Sequence, residues 1–295
     1  MSYAVIIPSY NRPEMLQRAL GSIYQQTLLP SEIQLVVDET EDAEKYRFLK
    51  DYDERLKVTF TGGGLGGADA RNIGLDQVTA DYVFFLDDDD EWLPEKVEKQ
   101  MALLEERPDC IGVTCGRTVI DEQKSTTEEV TVDERRLNRL MMTRNITGSF
   151  SFFGYRRNLQ TQSIRLEDGL PMAQDLEFYM ALSEFGSIGV VHEPLANYYA
   201  HTGARITGSD ERALRAYSRI QDKYRKRFSF REACWYRGLV RVYRASEAKS
   251  LVPYFGLCFT SAFWTLLSVQ SLKYSLHVLR KGINKTKLLA LLSDN

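Results

Sequence analysis

The chain has 295 residues, 43% hydrophobic and 27% charged, which excludes a disordered or collagen-like chain and suits one large domain or two ordinary ones. Its four cysteines (Cys110, Cys115, Cys234, Cys258) form neither a CxxC pair nor a zinc spacing, so a disulfide framework and a structural zinc are disfavoured and a reducing compartment is the simplest reading. The net charge of -3 conceals an asymmetry: residues 205–295 carry 18 Lys/Arg against 6 Asp/Glu, and residues 1–204 carry 20 against 35.

The start of the chain runs directly into Ala4–Pro8 with no basic or long apolar leader, so no secretory signal is expected. Ala4-Val5-Ile6-Ile7-Pro8 reads as a buried strand. Asn11 and Pro13 suit the cap and first turn of a helix carrying Met15, Leu16, Ala19, Leu20 and Ile23 at helical spacing. Ile33–Val37 is a second strand, ending at Asp38, followed by a polar helix over 42–52 and a strand over Leu56–Phe60. A glycine-rich loop, Gly62–Gly67, leads to a helix over Ala70–Gln77, and Tyr82–Leu86 is a fourth buried strand running into Asp87-Asp88-Asp89-Asp90. Pro94 opens a helix to about Glu106, and Ile111–Ile120 reads as a strand. Beyond it the spacing predicts a helix over Asp133–Arg144, a strand over Thr147–Tyr155, a helix over Met172–Phe185 and short strands at Ile188–Val191 and Leu195–Ala200. The fold class is therefore α/β, Rossmann-like, with a mostly parallel sheet and helices on both faces. In such sheets ligands bind beyond the carboxyl ends of the strands, where Pro8, Asp38, Gly62 and Asp87 all fall.

Four consecutive carboxylates at a strand end repel one another, and a hard cation such as Mg2+ or Mn2+ relieves that repulsion. In an extended stretch Asp87 and Asp89 share a face. The alternative is a solvated acidic turn that caps the next helix. Gly62, Gly64 and Gly67 satisfy G-x-G-x-x-G, with Asp87 twenty residues beyond Gly67, which is the dinucleotide fingerprint by spacing. The loop follows the third strand rather than the first, and its acid sits in a four-carboxylate cluster. Both features favour a nucleotide approached by the Gly62–Gly67 backbone over a nicotinamide cofactor. Arg71 on the following helix would meet phosphate or base, or pair with an acidic neighbour.

Val5-Ile6-Ile7-Pro8-Ser9-Tyr10-Asn11-Arg12-Pro13, Val36-Val37-Asp38, Gly66-Gly67-Ala68-Asp69-Ala70-Arg71-Asn72-Ile73-Gly74 and Phe85-Leu86-Asp87-Asp88-Asp89-Asp90-Glu91-Trp92 together resemble the family 2 glycosyltransferases over roughly residues 3–205. The resemblance implies a GT-A fold and inverting transfer from a nucleotide-diphosphate sugar, most often a UDP-hexose or UDP-N-acetylhexosamine. It places the DxD motif on Asp87-Asp88-Asp89, with Asp89 the direct metal ligand, Asp87 in support and Asp88 near sugar or ribose. It puts base recognition on Asp38 and lines the nucleotide pocket with Pro8, Tyr10 and Arg12. The catalytic base falls on Asp175 in Gln174-Asp175-Leu176-Glu177, where Gln174 replaces the usual acid; Glu177 is the reserve. His201, after Tyr198-Tyr199-Ala200, matches a histidine that ligates metal or meets the diphosphate, although a lone histidine is as readily structural. Trp92 fits the acceptor side or the core equally. A nucleotidyltransferase of similar fold and a non-catalytic nucleotide-sugar-binding module are the rival readings.

The catalytic domain is expected over 1–207, with a helical basic region over 208–295. Within that region, residues 250–272 carry no charge and hold Phe255, Phe259, Phe263 and Trp264 between basic flanks. This pattern suits an interfacial helix on anionic lipid, a helix packed on protein, or, least well, a membrane span. A polyprenyl-diphosphate-linked glycan acceptor and a cytoplasmic enzyme peripheral on the inner face of the cytoplasmic membrane would account for such a tail. No nucleic-acid motif is present.

Overall fold

The computed structural model describes residues 1–42, 44–121, 126–200 and 210–245, with positions 256 and 260. The chain divides into two compact units: Met1–Asp168 with Asp175–Thr202, and Gly169–Gln174 with the described part of Gly203–Asn295. The first unit is built from β1 (Tyr3–Ser9), α1 (Pro13–Tyr24), β2 (Glu32–Val37), β3 (Leu56–Phe60), α2 (Gly67–Gln77), β4 (Tyr82–Phe85), β5 (Glu91–Trp92), α3 (Lys96–Glu106), β6 (Cys110–Asp121), β7 (Thr126–Val130), α4 (Glu134–Leu140), β8 (Gly154–Arg156), α5 (Gln174–Leu182) and β9 (Ser187–Tyr199). The second holds α6 (Asp210–Tyr224) and α7 (Phe230–Ala245).

The strands form one sheet in the order β3-β2-β1-β4-β8-β6-β9-β5, with β7 beside β6. β1 pairs in parallel with β2 and β4, and β2 with β3. Past β4 the antiparallel β8 intervenes, and β6 and β9 are again parallel. Successive side chains of β1 enter different cores, as the pleat requires. Val5 and Ile7 pack with Leu16, Leu20 and Ile23 of α1. Ala4 and Ile6 pack with Ala68 and Leu75 of α2 and Phe178 of α5. Burial on both faces favours apolar residues, which is why β1 and β4 read as apolar runs. β2 is equally buried but carries Glu32 and Gln34, satisfied because Gln34 donates to Glu32 and Glu32 accepts the Thr79 and Ala80 amides.

Several elements differ from the sequence expectation for local reasons. Asn11 does not cap α1: it adopts φ 55°, and its side chain accepts from Lys45 Nζ at 2.9 Å. The polar helix over 42–52 reduces to a 3-10 turn at Arg47–Asp51, because Asp42 Oδ1 accepts the amides of Glu44 and Lys45 and holds a turn there. The strand over 147–155 shortens to β8, since Ser149 accepts from the Ser151 amide and starts a 3-10 turn at Phe150–Phe152. The two short strands near the end merge into β9, with a register shift between Cys115↔Val191 and Gly116↔Pro194 where proline lacks its donor. β5 and β7 have no local signal strong enough to be seen in the sequence. The segment 250–272, with its four aromatic residues, lies outside the described residues apart from positions 256 and 260. Among the described residues no helix is long and apolar enough to cross a membrane.

Candidate active site

The carboxyl ends of β1, β2 and β4 meet as the topology demands. Asp38, just past β2, is 5% exposed. Its Oδ1 accepts from Thr61 Oγ1 at 2.6 Å and the Leu65 amide at 3.2 Å, and its Oδ2 from the Gly66 amide at 2.7 Å. Burial opposes ionisation, yet these hydrogen bonds hold the carboxyl below its ordinary range. Gly66 sits at φ 88°, a left-handed conformation that aims its amide at Asp38 and that a side chain would strain. Tyr10, Asp38, Lys45 and Gly62–Gly64 line a cleft of about 620 Å³. Pro8 is buried inside β1 opposite Val36, while Tyr10 is 63% exposed at the cleft mouth.

The four carboxylates alternate as their spacing requires. Asp88 and Asp90 are buried; Asp87 and Asp89 are partly exposed on the crevice side. Asp89 pairs with Arg12 Nη1 at 2.5 Å, and Asp87 pairs with Arg71 Nη2 and accepts from Ser149 Oγ at 2.7 Å. Arg71 also donates to Gly67 O at 2.9 Å and lies over the Phe150 ring. Asp88 accepts from Ser9 Oγ at 2.8 Å and from the Tyr10 amide and Arg12 at 3.3 Å. Burial, reinforced by Asp89, nevertheless pushes Asp88 up to about 6. Burial and the neighbouring Asp87 push Asp90 up as well. Among the described residues no three His, Cys, Asp or Glu side chains form a ready-made metal cage. Two outward carboxylates backed by two crowded inner ones nonetheless suit a hard divalent cation that takes its remaining oxygens from water and phosphate. His201 lies outside the described residues.

Asp175 opens α5 across from this cluster. Its Oδ1 accepts from the Leu176 amide at 2.7 Å and its Oδ2 from Asn145 Nδ2 at 2.5 Å. Asn145 is itself fixed by the turn it begins: its Oδ1 accepts the Gly148 amide at 2.7 Å, and its Nδ2 also donates to Gly148 O at 2.9 Å. Burial raises Asp175 to about 6, opposed by Arg71 and assisted by Asp87, so Asp175 and the acidic cluster feel one another's charge. Glu177 is buried within α5, and Gln174 donates to Leu170 O at 2.8 Å. Trp92 is a core residue, 1% exposed, donating to Ser151 O at 2.7 Å.

Sequence reasoning missed Ser9, Asn145 and Ser149 as members of the site, along with Arg18, which donates to Asp89 O at 2.8 Å and stacks on Tyr199. Ser9 alone had a signal, lying between Pro8 and Tyr10.

This crevice lies at the carboxyl ends of a Rossmann-like sheet of the GT-A class. The family model for "Glycosyl transferase family 2" matches residues 4–161, more than half the chain, and the chain belongs to that family of glycosyltransferase enzymes. It is 33% identical over 109 residues to the amylovoran biosynthesis glycosyltransferase AmsB of Erwinia amylovora, covering 36% of each protein. It is 30% identical over 101 residues to the UDP-Glc:alpha-D-GlcNAc-diphosphoundecaprenol beta-1,3-glucosyltransferase WfgD of Escherichia coli, covering 34% of this chain and 40% of WfgD. The alignments thus span well under half of either relative. Residues 1-349 of S. aureus TarS share the fold, with TM-score 0.67 at 18% identity over 96% of this chain and 88% of that one. The same protein is also known in complex with UDP-GlcNAc.

Proposed function

We propose that the protein is an inverting, metal-dependent glycosyltransferase of polysaccharide assembly. It moves a hexose or N-acetylhexosamine from UDP to a hydroxyl of a glycan or polyprenyl-diphosphate-linked glycan. The observation that carries this reading is the turn over 145–149, whose Asn145 donates to Asp175 at 2.5 Å and whose Ser149 donates to Asp87 at 2.7 Å, as a base close to a phosphate-facing acidic cluster requires. The UDP-glucose donor and diphosphoundecaprenol acceptor named for WfgD, and the UDP-GlcNAc complex of TarS, support the choice of donor and acceptor classes.

In this reading Asp38 and the Gly62–Gly67 backbone receive the uracil and ribose in the cleft, with Tyr10 at its wall and Pro8 buried behind it in β1. Asp88, buried behind the outward pair, accepts from Ser9 and the Tyr10 amide and so holds the loop at the cleft in place. Asp89 and Asp87 would hold the cation, with His201 as the proposed third ligand. A divalent cation, when bound, neutralises the charge that develops on the departing diphosphate. Arg12 and Arg71, which pair with these carboxylates, are then placed to turn toward phosphate oxygens. Asp175 takes the proton of the acceptor hydroxyl as that oxygen attacks the anomeric carbon from the face opposite the diphosphate. Its elevated pKa makes it a stronger base than an ordinary carboxylate while leaving it ionised at neutral pH. Asn145 keeps the accepting oxygen aimed. The basic region after residue 208 would hold the enzyme on the anionic inner face of the cytoplasmic membrane, near a lipid-linked acceptor.

A product assay over a panel of UDP-sugars with Mn2+ or Mg2+ and a prenyl-diphosphate-linked sugar tests the reading. Release of UDP with a new glycosidic bond of inverted configuration is expected. Pyrophosphate release would instead establish a nucleotidyltransferase, and donor binding without turnover a binding module.

A further inference from the structure

Arg117 lies on β6, one residue past Gly116, on a strand that runs alongside β9. Its guanidinium approaches the turn that carries Asn145: a Cβ built on Gly148 would stand 3.0 Å from Arg117 Nη1 and 2.9 Å from the Phe152 ring. Gly148, at φ 92°, is thus the small residue that lets Arg117, Phe152 and the turn meet. The carbonyl of the same glycine accepts from Tyr179 Oη at 3.3 Å and from Asn145 Nδ2, whose other contact is Asp175. Arg117 therefore flanks the catalytic base through a single rigid turn.

The guanidinium is otherwise poorly matched. Nη1 is buried and meets no hydrogen-bond acceptor among the described residues. No carboxylate among them lies within ion-pair distance, and Phe152 packs 5.1 Å from the guanidinium carbon. Burial lowers the Arg117 pKa, and Asp90 is among the groups that only partly offset this. A half-buried guanidinium without a partner costs stability, so its retention calls for an anion that arrives with a ligand. The donor-side arginines are already paired, Arg12 with Asp89 and Arg71 with Asp87. Arg117 is the cation packed on the turn that holds the base, and the base faces the acceptor.

We propose that Arg117 binds an anionic oxygen group of the acceptor, a phosphate or a carboxylate, and so selects a negatively charged acceptor and seats its hydroxyl against Asp175. This inference rests on the glycosyltransferase reading above. A guanidinium suits either anion because its planar fork presents two parallel donors to two oxygens. In an in-line inversion the base and the departing diphosphate lie on opposite faces of the sugar, so an anion at Arg117 belongs to the acceptor rather than to the donor.

Calorimetry on the full chain, first saturated with UDP to fill the donor cleft, tests this. Inorganic phosphate and glucuronate are titrated separately into wild type, Arg117→Met and Arg117→Lys. Wild type should bind at least one of them. Arg117→Met should weaken that binding by about tenfold or more, with Arg117→Lys between the two. UDP affinity should be equal in all three. Arg117→Met should melt no lower than wild type, because it keeps the stem and removes a poorly matched charge. Phosphate binding alone identifies a phosphorylated acceptor, and glucuronate binding alone a uronic acid. Should Arg117→Met fail to fold, the Lys variant carries the comparison. Wild type that binds neither anion, or variants that bind as wild type does, would overturn the proposal. A parallel loss of UDP affinity would move Arg117 to the donor side and overturn it equally. Failure of wild type to bind UDP at all would strike the activity itself, by a different readout.

Discussion

Asp175 and Lys96 show how burial sets a residue's role in opposite ways. Asp175 is raised to about 6 by burial, and its ionised form is the one that accepts a proton. Turnover should therefore rise with pH through a limb near 6 and level off above it, and Asp175→Asn should remove turnover while UDP affinity survives. The same shift has a stability sign. The folded state binds the proton more tightly than the unfolded chain between the ordinary carboxyl range and about 6, so stability falls as pH rises through that window. Asp175→Asn should accordingly melt higher than wild type at pH 7.5. Lys96 has no ligand-facing role: it is fully buried, donates to Gln100 Oε1 at 2.6 Å and sits over the Trp92 ring at 4.2 Å. Burial lowers it from 10.5 to about 8. The unfolded chain thus binds the extra proton between those values, and stability rises with pH across that interval, the full penalty standing below about 8. Lys96→Met should stabilise the fold at pH 7 by on the order of 2 kcal/mol, the cation–π contact offsetting part of the shift, and the gain should vanish above pH 10.5. Urea unfolding at the two pH values measures it.

At the scale of elements, the sequence announces what is locally periodic and hides what is assembled at a distance. β1 and β4 were readable because burial on both faces makes them apolar runs, β2 from Ile33 and Leu35–Val37 despite its buried Glu32 and Gln34, and the Asp87/Asp89 alternation followed from the strand before it. The partners that orient the site were not readable. Ser149 reaches Asp87 across 62 positions and Asn145 reaches Asp175 across 30, and neither segment has a pattern of its own. The Gly62–Gly67 loop lies between these cases. Its composition announced a backbone held open for a ligand, but its main contact, the Gly66 amide on Asp38, depends on φ 88° and appears only in the folded chain. Gly66→Ala should strain that conformation by about 1–3 kcal/mol. If the strain is relieved by withdrawing the amide from Asp38, UDP affinity should drop by about tenfold. A matched titration of Gly66→Ala against wild type reads this directly. Unchanged affinity would mean that the amide is not needed to hold Asp38 in its binding geometry.

At the scale of the whole molecule, the charge asymmetry is the feature that the catalytic crevice does not use. Within residues 210–245 the chain carries eleven Lys/Arg and four Asp/Glu. On α7, Arg237, Arg241 and Arg244 recur at helical spacing along one face, with Arg237 and Arg244 exposed. Burial, then Arg244 and Arg237, push the Arg241 guanidinium down, so the positive charges crowd one another. Crowded cations on a helix face are relieved by an anionic surface, and each basic residue near anionic lipid contributes about 1 kcal/mol. Lipid attraction would also concentrate the enzyme where a lipid-linked acceptor is held, raising encounter rates without any change at the base. Wild type should therefore float with vesicles containing phosphatidylglycerol and stay behind with pure phosphatidylcholine, and added salt should release it as screening shortens the reach of the charges. Replacing Arg237, Arg241 and Arg244 with Gln should cut the bound fraction sharply while leaving UDP affinity untouched. Equal flotation of the triple variant and wild type would leave α7 as a solvated face and place any membrane attraction elsewhere in the chain.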